Sequence, residues 1–293
     1  MGEKSKRRLG DRWDGKQIRD LDSMHIITSI LYPNRCDNEA YINETVEMAP
    51  IRAYVEKKNQ EEGLSFPYTP FHIMVTALLK TLILRPKMNR FVANRLMYQR
   101  NETSVSFVVK KLFTDDSEEA LAIIKGLRSD DINTIHEQLF KQISGNKSGE
   151  IKDESSKQMD IFSSFPVRIV RLVVRFICWL DRIGKCPKIL VETDPYYTSC
   201  VMSNVGSIKL KSGYHHLTNW GTCSLFCMIG EVSTQNRVEA DGSITPVETV
   251  KIGLTVDERL ADGYYYSKTV RLFKHLLANP ELLELPLGQQ VEY

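Results

Sequence analysis

From Thr69 to Pro86 the chain runs TPFHIMVTALLKTLILRP, and this segment constrains the fold more than any other. Thr69 is a helix N-cap, Pro70 fits the first helical turn, and Arg85-Pro86 ends the run. Between them nearly every position is apolar, so the helix has no face to offer water and must be buried all round. A chain that buries such a helix needs a large core. The 293 residues, 42% of them hydrophobic and 26% charged, suffice to build one. Disorder, collagen and a small disulfide-stapled scaffold are excluded.

Around that helix the patterns alternate. Met24 to Tyr32 (MHIITSILY) reads as a β-strand, and Pro50 opens an amphipathic helix stopped by Gly63. Ser104 to Leu112 alternates Val105, Phe107 and Val109 as a half-buried strand does, and helices are expected near 117–127 and 130–143. Further strands are expected at Thr198–Ser203, Cys223–Val232 and Val247–Val256. Glu239 to Ser243 should turn between two of them, and a last helix runs from Gly263 to Asn279. Residues 1–22 form a charged arm, and 144–158 (SGNKSGEIKDESSKQ) a mobile loop within one domain spanning 23–293. No internal repeat or second apolar unit is found, so the expected fold is one α+β domain with a mixed sheet.

A formal net charge of +2 carries no surplus that would predict nucleic-acid binding. The six cysteines lack C-x-x-C spacing and the first residues lack an apolar signal core, which favours reduced thiols and a cytoplasmic address. The stretch Phe165 to Gly184 is long enough to span a bilayer but carries Arg168, Arg171, Arg175, Asp181 and Arg182. Its arginines share one stripe, so an amphipathic helix packed on the body is expected; a helix lying on a membrane surface is the alternative, and membrane association is not the favoured reading.

No Walker, G-x-G-x-x-G, H-E-x-x-H or G-x-S-x-G sequence is present. His25, His72 and His275 sit in apolar periodic segments as packing residues, and His136 falls on a polar helix face. The adjacent His215 and His216 lie in an irregular stretch, open to a hydrogen-bonding role, general-base chemistry or ligation. Cys223 and Cys227 share strand parity, but such thiols are usually small buried hydrophobes, and no metal site is expected.

Three segments taken in chain order carry a resemblance: Thr69–Phe91, Thr198–Lys209 (TSCVMSNVGSIK) and Val256–Gly263 (VDERLADG). The first leads to Pro86 and Asn89, the second is similar to a T-x-S-N-x-G-S strand and turn followed by the strand in GTCSLFCMIGEV, and the third resembles a D-H-R-x-x-D-G signature. Together they resemble the catalytic domain of dihydrolipoyl acyltransferases of 2-oxoacid dehydrogenase complexes, within the chloramphenicol acetyltransferase-like superfamily. That resemblance implies a mixed sheet flanked by helices and a homotrimer, or a higher assembly of trimers. Active sites would lie at subunit interfaces, reached from opposite sides by a coenzyme A thioester and an acyl acceptor. No lipoyl-carrying segment is recognised, and membership of a large dehydrogenase complex is not expected.

The signature departs at one position: Glu258 stands where the family has its proton-accepting histidine, while Asp257, Arg259, Asp262 and Gly263 keep their places. By resemblance, Asp262 holds Arg259 and its loop. Ser203, with Ser207 as a second candidate, would donate to a tetrahedral oxyanion on the turn that contains Asn204 and Gly206. Three readings of the base follow. Glu258 acts after desolvation raises its pKa, His216 or His215 supplies an imidazole from elsewhere, or the site is inactive and the chain is a trimeric scaffold or binding protein. The imidazoles are the first choice and Glu258 the second.

Overall fold

The computed structural model describes residues 8–61, 63–64, 66–110, 119–148, 165–187 and 191–293. A six-stranded mixed sheet in the order β2-β9-β8-β7-β5-β6 forms its centre. The strands are β2 (Glu39–Glu47), β5 (Thr103–Lys110), β6 (Glu119–Gly126), β7 (Cys200–Asn204), β8 (Leu225–Val238) and β9 (Ile244–Asp257). Strand β7 runs parallel to both β5 and β8, and the remaining pairs are antiparallel. A second sheet of three short strands, β1 (Gly15–Gln17), β3 (Arg90–Ala93) and β4 (Leu96–Arg100), stands beside it with β4 in the middle.

Among the described residues six helices accompany the sheets: α1 (Ser23–Leu31), α2 (Ala49–Asn59), α3 (Pro70–Leu84), α4 (Ile132–Ser148), α5 (Val167–Arg182) and α6 (Gly263–Ala278). Period-two alternation along the strands assigns their faces. Val105, Met202, Cys227, Ile252, Leu254 and Val256 point to one side, where they meet Ile51 of α2, Ile73 and Leu79 of α3, Ile135 of α4 and Leu276 of α6 in a single core. The opposite face carries Val201, Phe226 and Met228 with Leu217 and Cys223.

Helix α3 is buried from His72 to Ile83, as its composition requires. Its one cation, Lys80, is fully buried and donates to the carbonyls of Leu282, Leu285 and Pro286 at 2.9, 3.1 and 3.0 Å. Burial draws its pKa down to about 8, and three carbonyl acceptors compensate the ammonium for lost water. The helix start is a capping box in which Thr69 N–H donates to His72 Nδ1 at 3.0 Å.

Several expectations change. Met24–Tyr32 is helical: Asp22 caps α1 by accepting from the His25 amide at 3.0 Å, and Thr28 Oγ1 bonds back to the Met24 carbonyl at 2.9 Å. A β-rich composition is overridden there by a good N-cap. The stretch expected as a helix at 117–127 contains β6, whose Ala122 and Ile124 are buried beside Phe107 and Val105, so pairing with β5 outweighs local propensity. Ser144–Ser148 continue α4, and the rest of the expected loop lies outside the described residues. In the expected arm, 1–7 also lie outside them, while Gly15–Gln17 pair with β4. His136 is buried rather than on a polar face, stacked on Tyr68 with ring centroids 3.8 Å apart.

Helix α5 also differs from expectation. Only its Val170, Ile177 and Asp181 side turns inward; Asp181 meets Arg12 at 2.8 Å, and Ile177 packs with Cys186, Val191 and Tyr197. Most of its large apolar side chains remain exposed.

Candidate active site

The turn that bears the altered signature is built from one buried ion pair. Asp257, at the end of β9, is fully buried and receives Arg259 through both carboxylate oxygens, Nε to Oδ1 at 2.8 Å and Nη2 to Oδ2 at 2.6 Å. Arg259 Nη1 also donates to the Tyr32 carbonyl at 2.8 Å, which locks the end of α1 to the turn. The buried Arg35 lies 3.9 Å from the same carboxylate. Asp262 therefore does not hold Arg259. It caps α6, accepting from the Tyr265 amide at 2.8 Å, and that bond holds its carboxyl below the usual range.

These interactions place Glu258 at a cleft of about 1240 Å³ between α1, the helix-side face of β2 and α6. Its amide donates to the Asn38 carbonyl at 2.8 Å, and its side chain is exposed, so this chain does not itself supply the desolvation expected of a carboxylate base. The cleft walls mix apolar Met24, Ile42 and Val270 with Glu44, Arg271, Lys274 and His275.

His25 lines this cleft as well. Its Nδ1 lies 2.7 Å from Asp22 Oδ2, and the bonds from the imidazole and amide hold the Asp22 carboxyl below its ordinary range. The pair leaves Nε2 as the ring's second nitrogen, in the arrangement by which a carboxylate orients an imidazole. The sequence alone makes His25 a packing residue because it lies in an apolar periodic segment. The Asp22-x-x-His25 spacing, an N-cap with its N3 partner, was the available signal.

Ser203, His215 and His216 are elsewhere. Register aligns Ser203 with Met228 of β8 and Met228 with Gly253 of β9, five residues before Glu258, on the face away from the helices. At strand rise that is roughly 17 Å along the sheet, with the sheet itself between the two side chains. His215 stacks on Phe226 at 4.2 Å and on His216 at 4.4 Å, on the same outer face as Ser203. Their loop lies flat because Gly253 has no side chain: a Cβ there would collide with the Gly213 carbonyl. Gly206 plays the same part in the turn after β7, where a Cβ would strike the Gly230 carbonyl. Ser207 donates to the Asn204 carbonyl at 2.7 Å, a local turn bond, and Asn204 itself is exposed.

The chain thus holds two separated groups, Glu258, His25 and Asp262 at the cleft and Ser203 with His215 and His216 on the outer face. Cys200, Cys223 and Cys227 are buried, and burial pushes Cys227 up to about 12, which leaves it a protonated packing thiol. Among the described residues no group of three or more His, Cys, Asp or Glu side chains is placed to hold a metal ion.

Residues 193–285, which include Ser203 and the whole 257–263 turn, match the model of the 2-oxoacid dehydrogenases acyltransferase catalytic domain. Over 90% of its length the chain superposes on 95% of a probable dihydrolipoamide acetyltransferase from Listeria monocytogenes, with a TM-score of 0.59 at 13% identity. Its fold is that of the 2-oxoacid dehydrogenase acyltransferases. The cubic core of the pyruvate dehydrogenase multienzyme complex gives the same TM-score of 0.59 at 13% identity, covering 92% of this chain and 95% of the other. Chloramphenicol acetyltransferase follows at 0.51 and 11% identity, over 90% of this chain and 98% of that one. No curated protein sequence matches the chain. In this acyltransferase fold the mixed sheet and the flanking helices stand as the sequence resemblance implied.

Proposed function

We propose that the protein transfers an acyl group from a coenzyme A-type thioester to a small thiol, hydroxyl or amine, at sites completed where copies of the chain meet in a homotrimer. The observation that carries this reading is the cleft in which the signature-turn residue Glu258 and the oriented imidazole of His25 face one space. His25 replaces His215 and His216 as our choice of base, because those two lie across the sheet from Glu258. Imidazole suits proton transfer near neutrality better than a solvated carboxylate does.

In this scheme His25 Nε2 accepts the proton of the attacking thiol, hydroxyl or amine as its heteroatom adds to the thioester carbonyl. The tetrahedral oxyanion is met by Ser203 of a neighbouring copy, and collapse expels the coenzyme A thiolate, which takes the proton from the imidazolium. Arg259 and Asp257 keep the turn rigid, and Asp262 sets the start of α6. Association of copies accords with α1, whose Met24 at the cleft and Ile27, Ile30 and Leu31 beyond it are 69%, 51%, 52% and 64% exposed.

Acyl-CoA consumption against a panel of acceptors tests the scheme. Wild type should turn over, His25→Ala should lose about 10²–10⁴-fold and Ser203→Ala about 10²–10³-fold, with His215→Ala and His216→Ala much closer to wild type. Loss with Glu258→Gln but not with His25→Ala would move the base to the carboxylate. Equal inertness of wild type and all variants would replace catalysis by a trimeric scaffold.

A further inference from the structure

Helix α5 carries two stripes side by side, and among the described residues neither has a partner. At about 100° per residue, Arg168, Arg171, Arg175 and Arg182 fall within roughly 60° of arc, and Ile169, Leu172, Phe176, Trp179 and Ile183 within the adjacent 80° or so. The apolar stripe is open: Leu172 is 65% exposed, Phe176 58% and Trp179 54%. Among the described residues none of the four guanidiniums has an ion-pair partner, and the one acid of the helix, Asp181, is turned inward to Arg12. The helix is thus held on its inner side and leaves a full-length amphipathic boundary outward.

We propose that α5 docks the protein on an anionic lipid surface, with the apolar stripe in the acyl boundary and the arginines among the headgroups. The chemistry of both stripes fits that occupant. Large aliphatic and aromatic side chains, Trp179 among them, lie beside cations of a single sign along the whole helix. A second copy laid antiparallel on this face would bring the two arginine stripes onto the same side of the contact, where like charge disfavours self-association. No helix among the described residues is long and apolar enough to cross a membrane, so the mode is peripheral. The inference stands apart from acyl transfer and uses no residue of the cleft.

Co-sedimentation of the full chain with vesicles tests it, using pure phosphatidylcholine and an equimolar mixture with phosphatidylserine. The protein should pellet with the anionic vesicles and stay in solution with the neutral ones, with a blue shift of tryptophan emission on binding. Arg168→Gln/Arg171→Gln/Arg175→Gln should weaken binding about a hundredfold, at about fivefold per arginine. Leu172→Gln/Phe176→Gln should abolish it, and Arg237→Gln on the exposed β8–β9 hairpin should leave it unchanged. Thermal melts of each variant confirm the fold, since the altered side chains are exposed. Absence of pelleting with either vesicle overturns the proposal, as does equal pelleting with both. So does a vesicle-free assembly that Leu172→Gln/Phe176→Gln dissociates, which would make the face a contact between copies.

Discussion

Helices α3 and α5 are both rich in large aliphatic residues, yet α3 is buried from His72 to Ile83 while α5 shows Leu172, Phe176 and Trp179 to solvent. The difference lies in their polar residues. Helix α3 has one cation, and it is satisfied internally by the Leu282, Leu285 and Pro286 carbonyls. Helix α5 has four arginines on one stripe and cannot be enclosed without stranding them, so it stays at the surface and is held by Asp181 and Ile177. A run of apolar residues demands a dry partner; what its charges require decides whether the protein body can be that partner.

The sharpest way to break this contrast is a matched truncation. Leu79→Ala in α3 should lower unfolding free energy by about 2–5 kcal/mol, as filled cores do when a leucine is removed, measured by urea titration. A smaller effect tests how completely α3 excludes water. Burial, with His136 beside it, pulls His72 down to about 4 from the ordinary 6.5. The unfolded chain therefore takes up a proton below pH 6.5 that the folded chain refuses until about 4, so stability falls as pH drops through that window. The fall attributable to this group is about 3 kcal/mol. His72→Gln keeps an acceptor at the N3 position of the capping box and should remove that part of the acid sensitivity in melts between pH 6.5 and 4. The smallest effect belongs to Leu172→Ala, which should shift stability by no more than about 0.5 kcal/mol, as exposed substitutions do. A loss of several kcal/mol would mean that α5 is covered after all.

Elements with strong one-dimensional signals were legible from residues alone. The N-cap, first-turn proline and terminal Arg85-Pro86 define α3, and alternation in Val105, Phe107 and Val109 defines β5. Where local and tertiary preferences compete, the reading failed. Residues 119–126 look helical until β5 is placed beside them, and MHIITSILY looks like a strand until the Asp22 cap is seen. The short sheet β1-β4-β3 depends on pairing between distant segments and left no signal.

At the site, the 257–263 turn and the β7 turn were legible as motifs, but the roles inside them were not. Asp257, not Asp262, holds Arg259, because the strand end brings the nearer carboxylate into a bidentate geometry. The placement of Ser203 on one side of the sheet and Glu258 on the other follows from register across three strands, which no local spacing encodes.

The Lys80 ammonium has a consequence for the C-terminal end of the chain. It is a peg set in the middle of the core, and residues 282–286 hang on it through three carbonyls. Of those residues only Leu283 is itself buried, so the segment is tied to the interior through its backbone. Losing residues 282–286 would strip a buried charge of these three acceptors, so the segment closes the fold in the way a keystone closes an arch.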